Sequence, residues 1–171
     1  GTSMAVALEG RAMADDIMLG DTPKAVRRRR RVQGVEAAGR LWKHSTLRDI
    51  EGLVSADEIA SSFVFTMVRN PWDRAVSYYH WLRGQSFEHS AVYAAKELGF
   101  SDFLRQAEVV RALREAPYTS YVTGPDGVER CNLFVRLEHL EEDIPELEQA
   151  LGIKLGVLPR ENSSVRPRVA D

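Results

Sequence analysis

The run Phe63-Val64-Phe65-Thr66-Met67-Val68 leads directly into Arg69-Asn70-Pro71, and this junction limits the folds open to the chain. Six residues that are almost wholly apolar and rich in β-formers predict a strand covered on both faces, as in a parallel sheet. Asn70 is a good helix cap, and Pro71 suits the first helical position, where its missing N–H costs nothing. The junction therefore predicts strand, tight turn, and a helix from Pro71 to about Arg83. In open α/β sheets ligands bind at the carboxyl edge of the strands, so Arg69 stands where a ligand would be met.

On that helix Asn70, Arg74 and Ser77 are spaced at i, i+4 and i+7 and share a polar face, while Trp72, Val76 and Tyr79 fall on a face expected to pack. A guanidinium offers a fork of donors matched to phosphate oxygens, and a serine hydroxyl adds one more. Arg69 and Ser77 thus form a candidate two-point phosphate clamp. The simpler alternative is that Arg69 pairs with an acid such as Asp73 and that Ser77 is a small residue at a helix contact.

Elsewhere the pattern is mostly helical. Met4, Ala5, Leu8 and Ala12 predict a first helix over Met4 to Met13. Asp15 to Arg31 loses periodicity and carries Gly20 and Pro23, which predicts a long surface loop. Ser45 to Ile50 and Ser55 to Ile59 each place a hydroxyl residue ahead of a short helical pattern, Ser55 with Glu58 at capping-box spacing. Helices are also expected over Phe87 to Leu98 and Asp102 to Leu113. Gly124-Pro125-Asp126-Gly127 is a turn between short extended pieces, Asn132 to Arg136 a second strand, and Glu138 to Leu151 an amphipathic helix stopped at Gly152.

At 171 residues the chain fits one domain with a single core. Its net charge of −2 creates no overall field toward nucleic acid or an anionic membrane, so anion binding must come from local clusters. The longest is Arg27 to Arg31, flanked by Lys24, Arg40 and Lys43. Such a run reads as a solvated loop, or as a surface attracting an anionic or sugar acceptor. Cys131 is the single cysteine, which excludes an internal disulfide and a multi-thiolate metal site. No stretch approaches the ~20 apolar residues that span a bilayer, and no leader pattern is visible.

Arg69-x-Pro71-x-x-Arg74-x-x-Ser77 after an apolar strand resembles the 3′-phosphate-binding motif of PAPS-dependent sulfotransferases, particularly carbohydrate and heparan-type enzymes and their bacterial relatives. Further parts follow the family's order: Gly1-Thr2-Ser3, Lys43-His44-Ser45, Leu137-Glu138-His139-Leu140 with Glu141-Glu142-Asp143, Leu158-Pro159, and Asn162-Ser163-Ser164. The resemblance spans nearly the whole chain. It implies a P-loop-like three-layer α/β fold with a central parallel sheet flanked by helices. It also implies a sulfuryl group passed from PAPS to an acceptor hydroxyl such as a sugar's, with PAP as product and no metal.

Gly1, Thr2 and Ser3 resemble the last three residues of the family's phosphosulfate loop, whose lysine would lie upstream. The rival reading of the same residues is an appended tag ahead of a start Met4. On the loop reading residues 1–171 form one sulfotransferase domain lacking its first strand and a C-terminal element. The resemblance makes Gly1, Thr2, Ser3, Arg69, Arg74, Ser77, Asn162, Ser163 and Arg166 donor contacts, although no Arg-Lys-Gly triplet stands near Asn162. His44 resembles the catalytic base of the heparan-type 2-O-sulfotransferases. His80 is expected to pack on its helix, and His89 and His139 to lie on helix surfaces. A catalytically silent PAP-binding interaction module is the alternative, and a P-loop kinase a further one, although no Gly-x-x-x-x-Gly-Lys-Ser/Thr is visible. A cytoplasmic bacterial enzyme is the expected setting, with the Golgi lumen as the alternative for a piece of an anchored parent.

Overall fold

The computed structural model describes residues 1–159. Its elements run α1 (Thr2–Glu9), α2 (Pro23–Arg28), a 3₁₀ turn (Arg29–Val32), α3 (Ala56–Ser61), β1 (Phe65–Val68), α4 (Pro71–Arg83), α5 (Ser90–Glu97), α6 (Phe100–Phe103), α7 (Ala107–Glu115), α8 (Thr119–Val122), β2 (Leu133–Arg136), a 3₁₀ turn (Leu137–His139) and α9 (Leu140–Leu151). The chain is mixed α/β with a two-stranded parallel sheet in which Phe65 pairs with Leu133 and Val68 with Arg136. It divides into two compact units, one of residues 1–68 with 118–159 and one of residues 69–117.

In the first unit Met4, Val135, Leu147 and Leu155 are buried together, and Ala7, Leu8, Phe65, Met67, Leu133 and Ile144 pack against them. Phe65, Met67, Leu133 and Val135 alternate along their strands, so one face of the sheet meets α1 and α9. Strand β1 is shorter than its apolar run and only half-buried throughout. Ahead of it the Val64 N–H donates to the Asn132 side chain at 2.7 Å, while the Val64 carbonyl accepts the Asn132 backbone N–H at 2.7 Å. Gly152 ends α9 in the left-handed region, with φ 65°, and its own N–H and that of Ile153 return to the last turn of the helix.

In the second unit Tyr79, Leu82, Ala91, Val92, Ala95, Phe103 and Val109 form the core between α4, α5, α6 and α7. Helix α4 has the expected bounds because both ends are set locally. Asn70 accepts the Trp72 N–H at 2.9 Å with Pro71 next to it, and the chain leaves the helix at Gly84.

Four expectations are corrected. The stretch read as a loop to Arg31 contains α2, because the Glu9 carboxylate accepts the Lys24 and Ala25 N–H groups at the helix start, where negative charge is favoured. Ser45 to Ile50 is a turn rather than a helix. Thr46 and Asp49 bond each other's backbone N–H groups, a local alternative that competes with helix. The Asp102 to Leu113 pattern breaks into α6 and α7, since Arg105 and Gln106 both fold back onto Asp102 and close the first piece. Trp72 does not pack: it is 70% exposed, while the core gathers around Tyr79 and Leu82 farther along α4. The Ser55–Glu58 capping box forms as read.

Candidate functional site

Arg69 follows the last residue of β1, and Asn70 then starts the 13-residue helix α4. The Arg69 Nε lies 3.2 Å from the Asp73 Oδ2, with both side chains about 25% exposed. The geometry is that of an ion pair without a hydrogen bond: the Nε is buried and has no hydrogen-bond partner among the described residues. A strong donor group is thus held at the amino end of a helix, where the macrodipole favours an anion. Asp73 takes part of that charge, as the simpler reading anticipated.

Ser77 is half-buried on α4, about 9 Å along the axis from Pro71. Arg74, on the same polar face, donates from Nη2 to the Ala116 carbonyl at 2.7 Å. That bond ties α4 to the chain beyond α7. It gives Arg74 a bracing task within the unit, whatever else it meets.

Gly1, Thr2 and Ser3 belong to the first unit. Gly1 caps α1 and accepts the Ala5 N–H at 3.0 Å, so the three residues form a helix amino end. His44 lies in the same unit, on a turn held by Ser45, whose hydroxyl donates to the Arg40 carbonyl at 2.8 Å and accepts the Trp42 N–H. The imidazole meets the Trp42 ring edge-on at 4.7 Å. Desolvation there and the Lys43 ammonium push its pKa below the ordinary imidazole value, against the opposing pull of Asp21. Asn162, Ser163 and Arg166 lie outside the described residues.

The other three histidines have the following neighbours. His80 packs edge-on against Tyr79 at 5.3 Å. His89 is exposed and caps α5, its Nδ1 accepting the Ala91 N–H at 3.1 Å. His139 pairs with Glu142.

Two participants escaped the sequence reading. Asp21 accepts an ion pair from Arg29 at 3.2 Å and another from Lys43 at 2.9 Å, joining segments far apart in sequence. Arg136, register partner of Val68, is engaged by Asp143 at 2.6 Å and Glu142 at 3.1 Å. The acids of Glu141-Glu142-Asp143 signalled the second pairing; nothing in local spacing signalled the first. Among the described residues no cluster of three or more His, Cys, Asp or Glu side chains could hold a metal ion, and no helix is long and apolar enough to cross a membrane.

Comparison of the chain with protein-family models, with curated proteins and with solved structures returns no match.

Proposed function

We propose that the chain is a PAPS-dependent sulfotransferase and that Arg69 and Ser77 bind the donor's 3′-phosphate. The observation that carries this reading is the Arg69 guanidinium just ahead of α4, whose buried Nε faces the Asp73 carboxylate at 3.2 Å but makes no hydrogen bond among the described residues. A buried donor left unmatched is costly, and a phosphate oxygen would satisfy it. On this reading β1 and β2 belong to the central parallel sheet of a P-loop-like three-layer fold.

In the reaction the acceptor oxygen forms a bond to sulfur while the bond from sulfur to the bridging phosphate oxygen breaks, and PAP leaves. The acceptor's proton passes to a base. His44 takes that role, since its lowered pKa keeps the imidazole neutral at pH 7. Hydroxyls and N–H groups at Gly1, Thr2 and Ser3 suit the donor's phosphosulfate end.

Transfer of radiolabelled sulfate from PAPS, screened over sugars, lipids and small phenols, tests the proposal. Labelled product that disappears in His44→Ala is the expected result. PAP binding with no transfer to any acceptor would favour the silent interaction module, and preference for ATP would favour the kinase.

A further inference from the structure

The arginine run splits by direction. Ala25 is buried, which turns Val26, Arg27 and Arg30 outward along α2 and the 3₁₀ turn that follows it. Arg28 and Arg31 leave from one flank, where Arg28 donates to the Asp16 carbonyl at 3.1 Å and Arg31 donates to the Ala14 carbonyl. They clasp residues 14–16 against α2 and bring the side chains that bracket this segment, Met13 and Ile17, to the edge of the outward face. Arg29 pairs with Asp21. Arg27 and Arg30 are exposed, and their side chains make no hydrogen bond or ion pair among the described residues.

Met13, Ile17 and Val26 are between 49% and 69% exposed. Single apolar side chains at a surface are ordinary, but these three border two unengaged guanidinium groups in one short stretch of chain. Much of the neighbouring charge is already matched: Lys24 meets Glu9, whose carbonyl accepts its ammonium at 2.6 Å, and Asp21 takes both Arg29 and Lys43. Arg28 and Arg31 bond carbonyls rather than carboxylates, so they keep their charge. With Arg27 and Arg30 they set four guanidinium groups against the carboxylates of Asp15 and Asp16. The face is therefore cationic and apolar at once, on a chain whose net charge is −2.

A soluble polyanion would engage the guanidinium groups and leave Met13, Ile17 and Val26 in water. An anionic bilayer offers both contacts, headgroup phosphates for the cations and an apolar boundary beneath them for the three side chains. We propose that this face docks the chain peripherally on an anionic lipid surface, with Arg27 and Arg30 at the headgroups and Met13, Ile17 and Val26 entering the acyl boundary. Arg28 and Arg31 hold residues 14–16 so that the apolar side chains are presented together. So few contacts suit reversible binding on the surface rather than insertion through it. The proposal does not depend on the sulfotransferase reading.

Flotation of the full chain with lipid vesicles tests this, with phosphatidylcholine alone, with an equal mixture of phosphatidylcholine and phosphatidylglycerol, and with inorganic polyphosphate titrated separately as a soluble polyanion. The chain should float with the mixed vesicles, stay behind with phosphatidylcholine alone, and float less as salt rises. Partition onto the mixed vesicles should fall about 10- to 30-fold in Arg27→Ser/Arg30→Ser and roughly tenfold in Ile17→Ser/Val26→Ser. Equal flotation with phosphatidylcholine, or flotation unchanged in either double variant, would overturn the proposal. Binding of polyphosphate without flotation on the mixed vesicles would overturn it too, since the surface would then recognise charge alone. The comparison of wild-type protein across lipids and salt needs no variant, so the proposal stays exposed even if a substitution disturbs folding.

Discussion

Asp73 stands one helical turn after Arg69 and holds its Nε at 3.2 Å without accepting a hydrogen bond from it. The carboxylate steadies the guanidinium and also competes with any anion that the guanidinium would bind. Asp73→Asn should therefore tighten PAP binding several-fold, since a like charge beside the phosphate is removed. It should also lower stability by about 0.5 kcal/mol, because an acid in the first turn of α4 is lost. Calorimetric titration and thermal melting read the two effects separately.

Arg74 is tied to the Ala116 carbonyl. Arg74→Ala should cost about 1.5 kcal/mol of stability, the usual worth of a hydrogen bond from a charged donor, seen as a lower midpoint in urea unfolding. Its effect on PAP affinity should be smaller than that of Arg69→Ala. An equal loss of affinity would make Arg74 a direct phosphate contact.

In the proposed mechanism His44 accepts the acceptor's proton and so must be neutral, which predicts that activity falls as pH drops through its pKa. Because that pKa is lowered, the acid limb of the rate profile should lie below the ordinary imidazole value. Removing the Lys43 charge in Lys43→Gln should move the limb upward, and Asp21→Asn should move it downward. A profile unmoved by either change would separate His44 from the rate.

Asp143 is buried and accepts bonds from the Arg136 backbone N–H at 2.6 Å and Nε at 3.0 Å. These bonds hold its carboxyl below the usual carboxylate range. A depressed pKa means stability that is present at neutral pH and lost as pH falls below about 4. Asp143→Asn should lower the melting temperature at pH 7 and flatten its decline in acid, both visible by circular dichroism.

The parts of the fold that could be read in the sequence are those set by neighbours. Asn70 with Pro71, Ser55 with Glu58, and Gly152 fix their helix ends through residues at most a turn away, and all three appear as read. What escaped depends on distant partners. Helix α2 relies on Glu9, fifteen residues before Lys24, and the arginine run is ordered by carbonyls and an acid that spacing cannot reveal. Thr46 and Asp49 misled for the opposite reason, since their turn satisfies the backbone within four residues and forestalls the helix that the pattern suggested. At the candidate site the order Arg69, Arg74, Ser77 was legible, whereas the tie from Arg74 to Ala116 spans 42 positions.

Isothermal titration with PAP, ADP and ATP tests whether Arg69 and Ser77 bind a 3′-phosphate. PAP should bind more tightly than ADP or ATP, and Arg69→Ala and Ser77→Ala should each weaken PAP roughly 10- to 100-fold with little effect on ADP. Tighter binding of ATP than of PAP, or PAP affinity unchanged in Arg69→Ala, would contradict it.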